Sequence, residues 1–169
     1  MMPMHYLVDA YNFLFKILKK SSSLDKSRQS LIEELNEIAA ELNLHVTLVF
    51  DGAEEPLSLP RRGHYHTIEI VYTPKSQTAD EYIYDVITFC RSPAQFTVVT
   101  NDRELSSRCH QHRAKTMTIH QFLHLLSKKK IKKKRLKNSH DQAFRDSDRE
   151  IARLLLIFKK RMLIDNSEI

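Results

Sequence analysis

The sequence predicts an α/β fold of three layers, a mainly parallel sheet between helices. Three observations predict it. Short β-branched runs alternate along the chain with longer stretches of helical periodicity, the pattern of successive βαβ units. The chain has 169 residues, enough for one well-packed domain and few for two. Its composition, 41% hydrophobic and 28% charged, is that of a globular protein. Crossovers between the parallel strands are expected to be right-handed.

The elements follow in order. Residues 5–8 read as a first strand that stops on Asp9, and Asp is a favoured cap for a following helix. Ser21-Ser22-Ser23-Leu24-Asp25 reads as a break, after which Leu31, Ile32, Leu35, Ile38, Ala39 and Leu42 recur at helical spacing. HVTLVF, 45–50, is too apolar for a surface edge and predicts a buried second strand. DGAEEPLSLPRRGHY, 51–65, is rich in turn formers and predicts a loop. HTIEIVYT, 66–73, alternates Ile68, Ile70 and Tyr72 as a third strand. A helix is expected from Thr78 to Phe89, with Ile83, Val86, Ile87 and Cys90 on one face. QFTVVT, 95–100, predicts a fourth strand, 102–112 a helix, and KTMTI, 115–119, a short fifth strand. A short helix over 120–126 runs into a basic segment, and an amphipathic helix is expected over 149–163.

Composition narrows the function classes. Only two glycines occur, Gly52 and Gly63, which excludes the glycine-rich loops of dinucleotide and P-loop sites. No apolar run approaches the ~20 residues that span a bilayer. The opening Met1-Met2-Pro3-Met4-His5 lacks the charged and apolar regions of a signal peptide. Cys90 and Cys109 form no CxxC pair, so free thiols in a reducing, cytoplasmic setting are expected. The net charge is +6, yet KKKIKKKRLK, 128–137, holds eight basic groups, leaving the rest of the chain slightly acidic. So concentrated a cationic segment suggests a polyanionic partner or else a solvated linker. Nine histidines include His120 and His124, His64 and His66, and His110 and His112, but none has the ligand set of a zinc site.

The carboxylates carry the chemistry. In open α/β sheets ligands bind beyond the carboxyl ends of the strands. Asp9, Asp51 and Asp102 follow three such ends, and Asp80 and Glu81 begin a helix at the same edge. Each has a local reading. Asp9 can cap a helix, Asp51-Gly52 is a common turn pair, and Asp80 and Glu81 suit a first helical turn. Asn101 with Glu104 also resembles a capping arrangement that accounts for its segment without Asp102. Together they repel unless a cation sits among them. Oxygen ligands suit Mg²⁺ or Mn²⁺, which activate water and neutralise phosphate. With the cationic segment, this favours a nuclease.

The motifs LVDAYNF, LVFDG, IVYT with TADEYI, and VVTND, in that order, resemble the YacP-like NYN domains, relatives of the PIN nuclease fold regarded as metal-dependent endoribonucleases. The resemblance covers roughly 5–126. It implies a five-stranded sheet of order 3-2-1-4-5, with a nuclease domain over 1–127, a basic linker or RNA-binding arm over 128–140 and a C-terminal helical extension over 141–169. It implies an acidic site of Asp9, Asn12, Asp51, Asp80 and Asp102, the metal held by Asp9, Asp80 and Asp102 with Asp51 supporting, and Thr100 and Glu81 as neighbours. Asn12 is expected to bond a carboxylate or water. Ala10 stands where similar proteins carry glycine, and Arg113-Ala114 where they carry Gly-Ala. The expected activity is hydrolysis of RNA phosphodiesters, on mRNA or rRNA in a ribosomal or other ribonucleoprotein setting. A non-catalytic RNA-binding module and a structure-specific DNA nuclease are the alternatives. Expected RNA contacts are Arg61, Arg62 and Lys75 near the acidic edge, and Lys128, Lys129, Lys130, Lys132, Lys133, Lys134 and Arg135 on the arm.

Overall fold

The computed structural model describes residues 4–17, 24–52, 61–137 and 149–157. Ser21-Ser22-Ser23, most of the loop after Gly52, residues 138–148 and everything after 157 lie outside them. The chain runs β1 (His5–Asp9), α1 (Ala10–Ile17), α2 (Leu24–Leu42), β2 (His45–Phe50), β3 (Arg61–Tyr65), β4 (Ile68–Tyr72), α3 (Ala79–Phe89), β5 (Phe96–Val99), α4 (Arg103–Gln111), β6 (Lys115–Met117) and α5 (Ile119–Lys137). The six strands form one sheet of order β3-β4-β2-β1-β5-β6. All neighbours are parallel except β3 and β4. The parallel strands therefore stand in the order 3-2-1-4-5, with β1 at the centre.

The sixth strand corrects the reading of 51–65 as loop throughout. Arg61–Tyr65 is a strand, paired antiparallel with β4. Its residues Arg61, Arg62, Gly63 and His64 are exposed, so it carries no apolar alternation to mark it. A charged edge strand of this kind also resists pairing with other chains. The hairpin turn passes through His66, whose φ of 50° is left-handed, which shortens the expected strand to Ile68–Tyr72.

Alternation along β1 sends neighbouring side chains into two cores, one on each face of the sheet. Val8, Leu48 and Phe50 pack with Phe13, Leu14, Leu31, Leu35 and Phe122 from α1, α2 and α5. Leu7, Val49, Val71 and Val98 pack with Ile83, Ile87, Leu105 and Cys109 from α3 and α4. Each such side chain contributes roughly 1.5–3 kcal/mol when fully buried, so packing on the sheet, more than helix propensity, holds the layers together.

The helix expected over 120–126 continues to Lys137, so position 127/128 falls inside α5. Thr118 and Gln121 begin it with reciprocal side chain to backbone bonds of 3.2 and 2.8 Å. Lysine is a good helix former, and two lysines of the run are anchored at the end of α2. Lys130 lies 3.5 Å from the Glu41 carboxylate, and the Lys133 ammonium donates to the Glu41 carbonyl. Both cations meet the negative end of the α2 dipole. Residues 149–157 are helical, and Leu154 joins the core beside α5, so this part of the C-terminal helix docks on the body. Among the described residues no helix is long and apolar enough to cross a membrane.

Candidate active site at the acidic edge

The carboxyl ends of β1, β2 and β5 and the amino end of α3 meet at one edge of the sheet. Asp9 closes the central strand there and is 6% exposed. Its Oδ1 accepts from the Asn12 amide at 3.2 Å, capping α1, and its Oδ2 accepts from the Thr100 hydroxyl at 3.2 Å. Asp80, in the first turn of α3, lies near enough for its charge to act on Asp9.

Burial pushes the Asp9 carboxyl up to about 7, against the bond from Asn12, with the charges of Asp80 and Asp51 adding to the rise. Asp80 is also raised, by burial first and then by Asp102 and Asp51, with the Arg108 cation opposing the rise. The four aspartates therefore form one electrostatic unit. Among the described residues none of them makes an ion pair.

Asp51 and Asp102 each use one oxygen locally. Asp51 Oδ1 accepts from the Ala79 amide at the start of α3. Asp102 Oδ1 accepts from the Leu105 amide at 2.9 Å, so Asp102 is the cap of α4. This corrects the Asn101–Glu104 reading. Asn101 instead accepts from the Ile119 amide at 3.1 Å, tying the edge to α5. Glu81 closes a capping box with Thr78 and turns its carboxylate to the Thr78 amide.

Asn12 is a strut. Its side-chain oxygen accepts from the Asn101 amide at 2.9 Å while its own amide holds Asp9. Thr100 completes the brace, donating to Asp9 and accepting from the Asp102 amide at 3.0 Å. Buried Thr73 accepts from the Gly52 amide at 3.1 Å and fixes the turn after Asp51. Neither Thr73 nor Arg108 is marked in the sequence. Arg108 lies 3.9 Å above the Tyr84 ring, a pairing between α3 and α4 that no linear spacing shows.

Of the basic residues, Lys75 is exposed in the turn between β4 and α3, and Arg61 stands opposite Tyr72 at the carboxyl end of β4. Arg62 is committed to Glu69 at 2.6 Å. Lys128, Lys129 and Lys132 are exposed on α5, whereas Lys130, Lys133 and Lys134 engage Glu41 and Glu150. The side chain of Arg135 lies outside the described residues.

Among the described residues no three acidic, histidine or cysteine side chains stand close enough to enclose an ion. The donor set nevertheless suits Mg²⁺ or Mn²⁺. Mg²⁺ is commonly held by one or two carboxylates with the rest of its shell water, and the Asp9–Asp80 pair is an all-oxygen site with excess negative charge.

A family model described as YacP-like NYN domain matches residues 6–157. The chain is similar to the uncharacterized protein YacP of Bacillus subtilis, 32% identical over 101 residues. That match covers 57% of this chain and spans 59% of the relative. The fold is similar to the crystal structure of a mutant form of Rae1 (YacP) from Bacillus subtilis, with TM-score 0.61 and 21% identity over 99% of this chain and 100% of the other. A second crystal structure of Rae1 (YacP) from the same organism matches with TM-score 0.58 and 20% identity, covering 98% of this chain and 96% of that one.

Proposed function

Because the chain belongs to the YacP-like NYN domain family, we propose that it is a metal-dependent endoribonuclease acting at the acidic edge of its sheet. The observation that carries the reading is the buried Asp9 carboxyl, pushed up to about 7 with the charges of Asp80 and Asp51 beside it, Asp102 acting on Asp80, and no ion pair to any of the four among the described residues. Asp9 and Asp80 would hold Mg²⁺ or Mn²⁺ directly, with Asp102, expected as a third ligand, and Asp51 supporting them through charge or bound water. Bound there, the ion supplies activation of water and neutralisation of phosphate charge.

The protein's own part is to keep these oxygens in place. Thr100 and the Asn12 amide fix the two oxygens of Asp9, leaving its orientation little freedom. Asn12 and Asn101 hold the ends of β1 and β5 together, so Asp9 and Asp102 keep their spacing. The bond from the Ala79 amide to Asp51 ties down the first turn of α3, on which Asp80 stands. Lys75 and Arg61 at the edge, and the exposed lysines of α5, attract the phosphate backbone without reading its sequence. The substrate is RNA in the cytoplasm, free or within a ribonucleoprotein such as the ribosome.

Incubation with labelled RNA and DNA in Mn²⁺ or EDTA tests the reading. Internal cleavage of RNA in Mn²⁺ alone is the expected result. RNA binding without cleavage would make the protein a binding module, and cleavage of structured DNA instead would make it a DNA nuclease.

A further inference from the structure

Around the acidic edge, on the α1 side of the sheet, aromatic rings form a continuous stack that the hydrolytic reading leaves unused. Tyr11, two residues after Asp9, lies edge-on to Phe50, the residue before Asp51, at 5.4 Å and 78°. Phe50 stacks on Tyr72 at 5.4 Å and 19°. On its outer side Tyr11 runs nearly parallel to Phe15, one helical turn along α1, at 6.0 Å and 20°. Phe50 is fully buried, so the stack is anchored in the core, yet Phe15 at its outer end is 66% exposed.

A lone exposed phenylalanine is ordinary on a protein surface. Phe15 differs because its neighbours are locked rings and because cations flank them. Arg28 donates to the Tyr11 hydroxyl at 3.4 Å and lies 5.5 Å from the Tyr72 ring centre. Its ion pair with Asp25 is to a carboxylate 75% exposed, a weak contact that a phosphate can displace. Arg61 stands opposite Tyr72 across the β3–β4 hairpin and is exposed. An apolar face for a ring with guanidinium groups beside it is the chemistry of a nucleotide, and unpaired bases are bound by stacking on such aromatics.

We propose that Tyr11 and Phe15 form a stacking platform for an unpaired nucleobase of the RNA strand entering the acidic edge, with Arg28 and Arg61 contacting the phosphates beside it. The proposal rests on the endoribonuclease reading and narrows its substrate to RNA that is single-stranded beside the cut. Duplex RNA offers no free base to the platform.

The test measures binding in EDTA, where cleavage plays no part. It compares wild type with Phe15→Ala on a short unstructured oligoribonucleotide, the same strand with abasic sites, and an RNA duplex. Phe15→Ala should bind the unstructured strand roughly 5- to 150-fold more weakly, the range for losing one stacked base. Its duplex and abasic binding should match wild type. The chain contains no tryptophan, so Phe15→Trp supplies a single indole whose emission the unstructured strand should quench and the abasic strand should not. Equal binding of wild type and Phe15→Ala, or equal quenching by both strands, overturns the platform and leaves the nuclease reading standing; Phe15 would then suit a protein partner. A wild-type protein that binds none of the RNAs overturns both.

Discussion

Replacing Asp9 by Asn should stabilise the metal-free protein at alkaline pH. A raised carboxyl holds its proton more tightly folded than unfolded. Its favourable contribution is therefore full below the ordinary 3.8, drains as pH climbs from there to about 7, and is gone above it. Over that window ionisation of Asp9 removes roughly 4 kcal/mol at most. Asn keeps the shape and can still accept from the Asn12 amide, but its amino group must donate to the Thr100 oxygen where a carboxylate oxygen accepted, a loss of about 1 kcal/mol. With partial relaxation of the buried charge the net gain is about 1–3 kcal/mol, or roughly 3–10 °C in melting temperature for a chain of this size. Thermal unfolding by circular dichroism in EDTA, from about pH 5 to about pH 8.5, measures it. Asp9→Asn should match or trail wild type at the acid end and exceed it at the alkaline end. Added Mn²⁺ should raise the melting temperature of wild type far more than that of the variant. A variant less stable than wild type at every pH, or a pH-independent difference, would refute the account of Asp9.

Further substitutions separate placement from charge. Asn12→Ala leaves the backbone bond to Asp9 but removes the acceptor of the Asn101 amide; RNA cleavage should fall about 10–100-fold, as when a ligand's supporting bond is removed, with unfolding eased by only about 1 kcal/mol. Changing Lys128, Lys129 and Lys132 together to Gln should flatten the slope of log affinity against log salt by about 0.7 for each phosphate no longer neutralised. The melting temperature should hold in that variant, whereas Lys130→Ala and Lys133→Ala should lower it, because those two fasten α5 to the end of α2.

The parallel strands and the acidic positions were legible because both are written locally. A β-branched run ending on Asp marks a strand and its carboxyl end at once, as at Val8-Asp9 and Phe50-Asp51. The glycine departures were informative too. Arg113 has a φ of 65°, the left-handed backbone that glycine favours. Ala10, by contrast, starts α1 fully buried and helical, so a methyl group is no hindrance there. What stayed hidden depends on distant partners. β3 is a strand through its ladder to β4 and the Arg62–Glu69 pair, not through its own pattern. The lysine run reads as a linker or an RNA-binding arm, and its contact with Glu41 shows only in the fold. Asn12 is expected to bond a carboxylate or water, and its backbone amide does bond Asp9, but the reach of its side chain to Asn101, over 89 positions of sequence, has no local mark.

The central claim, that Asp9 and Asp80 form a metal-binding pair for RNA hydrolysis, meets its most direct test in Asp80→Asn. Internally labelled RNA is incubated with wild type and variant in Mn²⁺, and binding of the same RNA is followed in EDTA. The account predicts that the variant binds RNA at least as well as wild type, since a negative charge has gone, and cleaves none of it. Cleavage by Asp80→Asn at the wild-type rate would contradict it.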